Sequence, residues 1–232
     1  MTKWLLLFIP SLVFGQTLSI PTHLDSVVNA SNHTTLVSNT IAPASDVLLI
    51  AVVAGRGVNP ASISMSTTLS NVGSWTTIGP IFQLVNLSAI FLSYAVVNGA
   101  PGSGTITASW TGTQVRGVME VVSFTGFNRS APIVQSKLDT ASTSTTPSLT
   151  LSALQTGSKS FAAVNSRNGA GTTPGTNETE LSETSSGGTS PARLQSEYGT
   201  DTVLDWSTLG ALSNAAVAIE IAVARKKVII VE

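Results

Sequence analysis

The apolar positions of this chain fall in short runs, several alternating with polar residues at a period of two, and Gly-, Pro-, Asn- and Ser-rich turns divide them. That is the pattern of antiparallel β-strands. Residues 46–55 (DVLLIAVVAG), 89–97 (AIFLSYAVV), 104–110 (GTITASW) and 118–124 (VMEVVSF) form one series. A looser copy follows in the same order at residues 160–164 (SFAAV), 193–198 (RLQSEY), 202–206 (TVLDW) and 216–223 (AVAIEIAV). In both series a strand carrying a Tyr precedes one carrying a Trp, and an apolar strand with one embedded acid, Glu120 or Glu220, closes the half. The chain is therefore predicted to be all-β, a single antiparallel β-sandwich over residues 16–224 built from two related halves.

Shorter signals fill in the rest. Residues 18–39 predict two short strands around a polar turn at 29–32. Residues 62–69 place Ile63, Met65 and Thr67 on one face and serines on the other, as in a half-buried strand. A turn at 71–74 leads into a strand at 75–85, interrupted at Gly79-Pro80, where a bulge or an edge position is expected because proline cannot donate to a ladder. Residues 98–104 (NGAPGSG) read as a hairpin-type loop. The polar stretch 139–147 is expected to connect the halves, and 165–192 to be a long loop around one strand at 178–183, available to partners.

Two strands are apolar on both faces. Val47, Leu49, Ala51 and Val53 alternate with Leu48, Ile50, Val52 and Ala54, and the strand at 89–97 behaves alike. A free-standing antiparallel sandwich keeps one face polar, so another layer of the chain or a second subunit must cover the extra face. A homo-oligomer, or assembly with other structural proteins, is the expectation. At residues 225–232 a basic triplet, Arg225-Lys226-Lys227, reads as a solvated turn. It precedes Val228, Ile229, Ile230 and Val231, a candidate assembly strand that would add to a neighbour.

Composition narrows the chemistry. Charged residues make up 10% of the 232 and the net charge is −1, so the chain lacks the basic footprint of a nucleic-acid binder. Ser and Thr supply roughly a quarter of the residues, well above ordinary usage. Without cysteine there is no disulfide, thiolate nucleophile or zinc–thiolate site. His23 and His33 both precede the first long strand, outside any nucleophile-elbow context, and are read as surface imidazoles. His23 and Asp25 would share a strand face but supply only two metal ligands. Glycoside hydrolysis needs two carboxyl groups across a cleft. Glu120 and Glu220 hold equivalent places in the two halves, which favours a structural role. Glu197, Asp201 and Asp205 form an acidic cluster without the spacing of a calcium loop. No catalytic, cofactor or metal residue is assigned. Trp110 and Trp206 end equivalent strands and are read as core plugs, whereas Trp75, following a turn, is the candidate exposed ligand-binding aromatic.

Residues 1–15 (MTKWLLLFIPSLVFG) carry a basic start, an apolar run at 4–13 and small or aliphatic residues before Gln16. This is the layout of a secretory signal, which directs the protein to the cell exterior or surface. An uncleaved arm docking on a neighbouring subunit is the alternative. The run is shorter than the ~20 residues that a permanent membrane span requires.

At DVLLIAVVAG, at VVNGAPGSGTITASWTG and at VMEVVSFTGF with Pro132 after it, the chain resembles Ser/Thr-rich β-sandwich domains of bacterial secreted and surface proteins and of phage virion proteins, including tail-fibre and decoration components. The likeness extends over about residues 27–224. It implies jelly-roll or immunoglobulin-like topology and a role in assembly, display or adhesion, extracellular or on a virion. No catalytic residue is carried over by it. The expected function is non-enzymatic and structural or adhesive, with a carbohydrate-binding module as the first rival and a glycan-active enzyme as the second.

Overall fold

A computed structural model describes residues 17–224 apart from 85–86, 145, 168–170, 189–190 and 209–211. The signal-like segment 1–15 and the candidate assembly strand, Val228 to Val231, lie outside the described residues. Fifteen strands and no helix are assigned among them. Among the described residues no helix is long and apolar enough to cross a membrane.

The first half contains β1 (Thr22–Asn29), β2 (His33–Val37), β3 (Leu48–Gly57), β4 (Ala61–Thr67), β5 (Thr76–Gln83), β6 (Ser88–Val96) and β7 (Ile106–Phe124). The second contains β8 (Ile133–Ser144), β9 (Ser148–Thr150), β10 (Lys159–Ser166), β11 (Thr172–Pro174), β12 (Glu178–Ser185), β13 (Arg193–Gly199), β14 (Val203–Thr208) and β15 (Leu212–Ile221). Large sheets run β1-β7-β3-β6-β5 and β8-β15-β10-β13-β12, and small ones β2-β7-β4 and β9-β14-β11. Strand for strand the two halves match, once β7 is counted twice. That order, first strand beside last and second beside penultimate, is the jelly roll.

The fold is all-β and antiparallel, as the sequence predicts, but it is stacked deeper than two layers. The two large sheets face each other across one core holding Leu48, Ile50, Val52, Phe124, Phe161 and Val217. Each small sheet then covers the far face of its own large sheet, over Leu49, Ala51, Val53 and Trp110 in the first half and over Ala162, Val164, Leu204 and Trp206 in the second. This explains the strands that are apolar on both sides. Their second face is covered by the same chain, so the need for a subunit to cover it falls away.

β1 touches β12 and β5 touches β8. The first strand of each half thus meets the fifth of the other, and the halves pack as two subunits of a two-fold dimer would. Asn165 ties them together: its amide donates to the Gly55 and Ala89 carbonyl oxygens at 2.9 and 2.8 Å, from a fully buried position.

Several elements differ from the sequence reading. Residues 104–110 and 118–124, expected as separate strands, belong to the continuous β7, which pairs with β2 and β4 through its first part and with β1 and β3 through its second. Gly117 permits that passage, because a Cβ there would lie 2.4 Å from His33 Nε2. The loop at 98–104 is no hairpin: β6 and β7 are not paired, and the loop crosses between sheets. Residues 139–144 continue β8, so the halves are joined by residues 125–132 instead. Arg129 on that connection pairs with Asp46 Oδ1 at 2.8 Å and donates to the Val97 carbonyl oxygen at 2.9 Å. Within 165–192 lie β11 and an eight-residue β12 paired along β13, which leaves less free loop than expected.

The register of β5 shifts between Ile78 and Ile81, at Gly79-Pro80, on a sheet edge as predicted. Both ends of the described chain meet the inter-half connection. Ser19 N–H donates to the Thr125 carbonyl oxygen at 3.0 Å and Ala224 N–H to that of Gly126 at 2.8 Å.

Two substitutions test this packing. Trp206→Ala, emptying a fully buried site under the small sheet, is expected to cost about 3–5 kcal/mol in urea unfolding. Asn165→Ala is expected to cost about 1–3 kcal/mol by leaving two buried carbonyl groups short of a donor.

Candidate functional site

The histidines and acids are better separated in space than their sequence positions imply. A bulge at Leu24 shifts the pairing of β1 between His23 and Asp25, so His23 lies opposite Val122 and Asp25 opposite Val121. The two side chains therefore leave the strand on opposite faces, and the shared face expected of them is lost. Asp25 instead accepts from Asn39, through its backbone N–H at 2.7 Å and its side-chain amide at 3.0 Å. His33 is buried, against expectation; its Nδ1 meets the Ser31 carbonyl oxygen at 2.6 Å and its ring packs edge-on against Trp110 at 5.6 Å.

Glu120 and Glu220 are not equivalent. Glu120 shares the face of Val118 and Val122, toward the other large sheet, whereas Glu220 follows Ala216 and Ala218 toward the small sheet of its own half. Glu220 is fully satisfied, accepting from Gln135 Nε2 at 2.7 Å and from the Gln155 N–H at 2.6 Å, and it pins residues 152–155 to β8 and β15. This is the structural role expected of it.

Glu120 is held less completely. Ser196 Oγ donates to its Oε1 at 2.7 Å and Ser182 adds a further bond, but Oε2 is buried without a partner. Burial pushes this carboxyl up to about 7, against those serine bonds. His23 Nε2 stands 4.0 Å away and bonds Ser26 Oγ at 2.8 Å; desolvation lowers the imidazole pKa, opposed by Asp25. These groups come from β1, β7, β12 and β13, at the margin where the two halves meet. Ser26 and Glu120 both approach the same ring nitrogen, so the arrangement lacks the opposed partners of a Ser-His-acid triad.

A second acidic group lies on the far face of the second large sheet. Glu197 (β13) is fully buried, with neither carboxylate oxygen given a donor, and it meets the carboxyl of Glu178 (β12). Glu178 Oε2 accepts from Gly175 N–H at 2.9 Å, while its Oε1 is buried and unpartnered. Asp205 (β14) closes the group: a Cβ on Gly175 would fall 2.0 Å from Asp205 Oδ1 and 2.9 Å from Glu178 Oε2. Desolvation first, then the neighbouring carboxylates, push Glu197 up to about 10; desolvation likewise brings Glu178 to about 7. Asp201, grouped with these in sequence, instead accepts from the N–H groups of Thr202 and Val203 at 2.7 and 3.2 Å. Glu178 is the member that sequence reasoning missed, because it is 19 positions from Glu197 and only the pairing of β12 with β13 brings them together.

Trp110 and Trp206 are core plugs, as predicted. Trp75 is half-buried, packs on the outer core of the first half and has its indole N–H enclosed without a partner. The close ring pairs, His33–Trp110, Phe91–Trp110 and Phe124–Phe161, are interior. A cluster of exposed apolar side chains lies elsewhere, where Val58, Leu84, Leu87 and Val115 line one depression with Phe82 at the end of the first half remote from residues 17 and 224.

Comparison of the chain with protein-family models, curated proteins and solved structures finds no match.

The Glu120 carboxyl has a stability signature. Its pKa is raised above the unfolded value, so its contribution is full below about pH 4.5 and is lost as pH rises through about 7. Glu120→Gln is expected to shrink the fall in unfolding free energy between pH 5 and pH 8 by about 3 kcal/mol, read from urea midpoints.

Proposed function

We propose that this protein is a non-enzymatic structural or adhesive component of a cell exterior or a virus particle, working by assembly and surface display. The observation that carries the reading is the packing of two jelly rolls through their large sheets, which makes one rigid block with its broad apolar faces consumed internally. Jelly rolls serve in capsids and lectins, and that is support by analogy of fold alone. The acids add to it. Glu220 is committed to holding a loop, and Glu120 opens into a different layer, so this pair does not form the facing carboxyls of a glycosidase.

An assembling block needs a contact surface, and the apolar depression at the end of the first half is suited to that use. Leu84 is 78% exposed and Val58 57%, beside Leu87 and Val115. Exposed apolar clusters of this kind favour protein contact. The partner in this reading is a second copy or another structural protein, and the signal-like residues 1–15 fit export.

Light scattering on the purified chain across micromolar concentrations is expected to show a multiple of 23.8 kDa, and Leu84→Ser with Val115→Ser to return it to monomer. Removal of residues 228–232 tests the terminal strand in the same assay. A monomer at every concentration, alone and with the particle or surface components that accompany it, would sink the assembly reading.

A further inference from the structure

We propose that β12 is a proton-latched edge strand, held against β13 and β14 by a proton shared between Glu178 and Glu197 and released when alkali removes it. Glu197 is fully buried and neither of its oxygens has a donor; one oxygen of Glu178 is in the same state. Two carboxylates in contact inside a protein repel strongly, whereas a carboxylic acid and a carboxylate form a short, strong hydrogen bond. The contact therefore requires a neutralising species.

The surroundings supply no other. From β12 the group is faced by Glu178 and Glu180, and from β14 by Asp205; every charge acting on Glu197 is one of these carboxylates. The outer face of β10 brings Ser160, Ala162 and Val164, and β11 is Thr172–Pro174, so neither adds an ionisable group. Arg193 is the cation at the other end of β12 and is already engaged with Glu183 at 3.2 Å. Among the described residues no three acidic or histidine side chains are grouped as a metal would require. A proton is what the arrangement accommodates.

Its position gives it leverage. β12 is the edge of its large sheet, paired with β13 alone and bulged between Glu180 and Ser182. At the far end Glu183 accepts from Thr172 N–H at 2.7 Å and Oγ1 at 3.0 Å, which ties β12 to β11. At the near end the Glu178–Glu197 contact is the corresponding tie. Ionising both acids turns that tie into repulsion, and the strand opens from Glu178 toward Ser185, uncovering the backbone edge of β13. Both carboxyls are raised above their unfolded values, so their stabilisation is full below about pH 4.5. It is lost as pH passes about 7 for Glu178 and about 10 for Glu197.

Hydrogen exchange of the full chain, carried in an Glu120→Gln background to remove that titration, reads the latch directly. After correction for intrinsic exchange, protection of amides 178–185 is expected to fall about tenfold or more between pH 8, where one proton is still shared, and pH 11, where it is gone, while β6 changes less than about twofold. Glu197→Gln, which keeps a donor at the contact, is expected to hold β12 at its pH 8 protection throughout, and Glu178→Gln serves if that variant fails to fold. Unchanged protection in the parent, or an equal loss in a folded Gln variant, overturns the proposal. So does restoration at pH 11 by 1 mM calcium, with heat of binding that Glu197→Gln abolishes, since the neutralising species would then be a cation.

Discussion

Everything in this fold follows from two sheets that are apolar on both faces. Burial of apolar surface is worth roughly 25 cal/mol per Å², and a sheet such as β3 with neighbours on each side gains that benefit twice. The requirement is that four layers be stacked, and the chain meets it by folding each half into its own jelly roll and pressing the two together. The inner core, with Leu48, Phe124, Phe161 and Val217, is then an interface between halves, while the outer cores, around Trp110 and Trp206, are private to each. No disulfide contributes, since the chain has no cysteine.

Polarity inside such a stack is answered unevenly. The Asn165 amide nitrogen and Glu220 are answered: the first caps two carbonyl groups across the inner core, although its Oδ1 has no donor, and the second receives two donors from its own half. Glu120 and Glu197 are answered in part or not at all. Their raised pKa values have one cause, loss of water, but different company. Glu120 sits among hydroxyls that favour its anion, whereas Glu197 sits among acids that oppose it. The same residue type thus titrates in two ranges within one molecule.

The duplicated strand series, the alternation in β4, the break at Gly79-Pro80 and the plugging Trp residues were all legible, because each depends on local pattern. What escaped depends on pairing across distance. The continuity of β7 was hidden in residues 111–117, between the two runs read as separate strands, where Gly112 and Gly117 let one strand pass from one sheet to another. The one-residue bulge in β1 reversed the face of His23, and period-two reasoning has no means to foresee a bulge. Likewise the opposite facing of Glu120 and Glu220 turns on a single residue of register between otherwise matching strands. The Glu178–Glu197 contact had no signal at all, being made only by strand pairing.

The meeting of residues 17 and 224 beside the inter-half connection bears on how the molecule would carry load. Ser19, Thr125, Gly126 and Ala224 gather at one corner, where a handful of backbone bonds hold both ends of the described residues. Tension applied through the two ends would strain those bonds in succession, peeling the corner, and would leave the stacked sheets slack. Tension entering at one end and leaving through a surface contact at the remote apolar tip would instead run lengthwise along β3 and β7, loading their ladders in parallel. The same block is thus mechanically soft in one direction and stiff in the other.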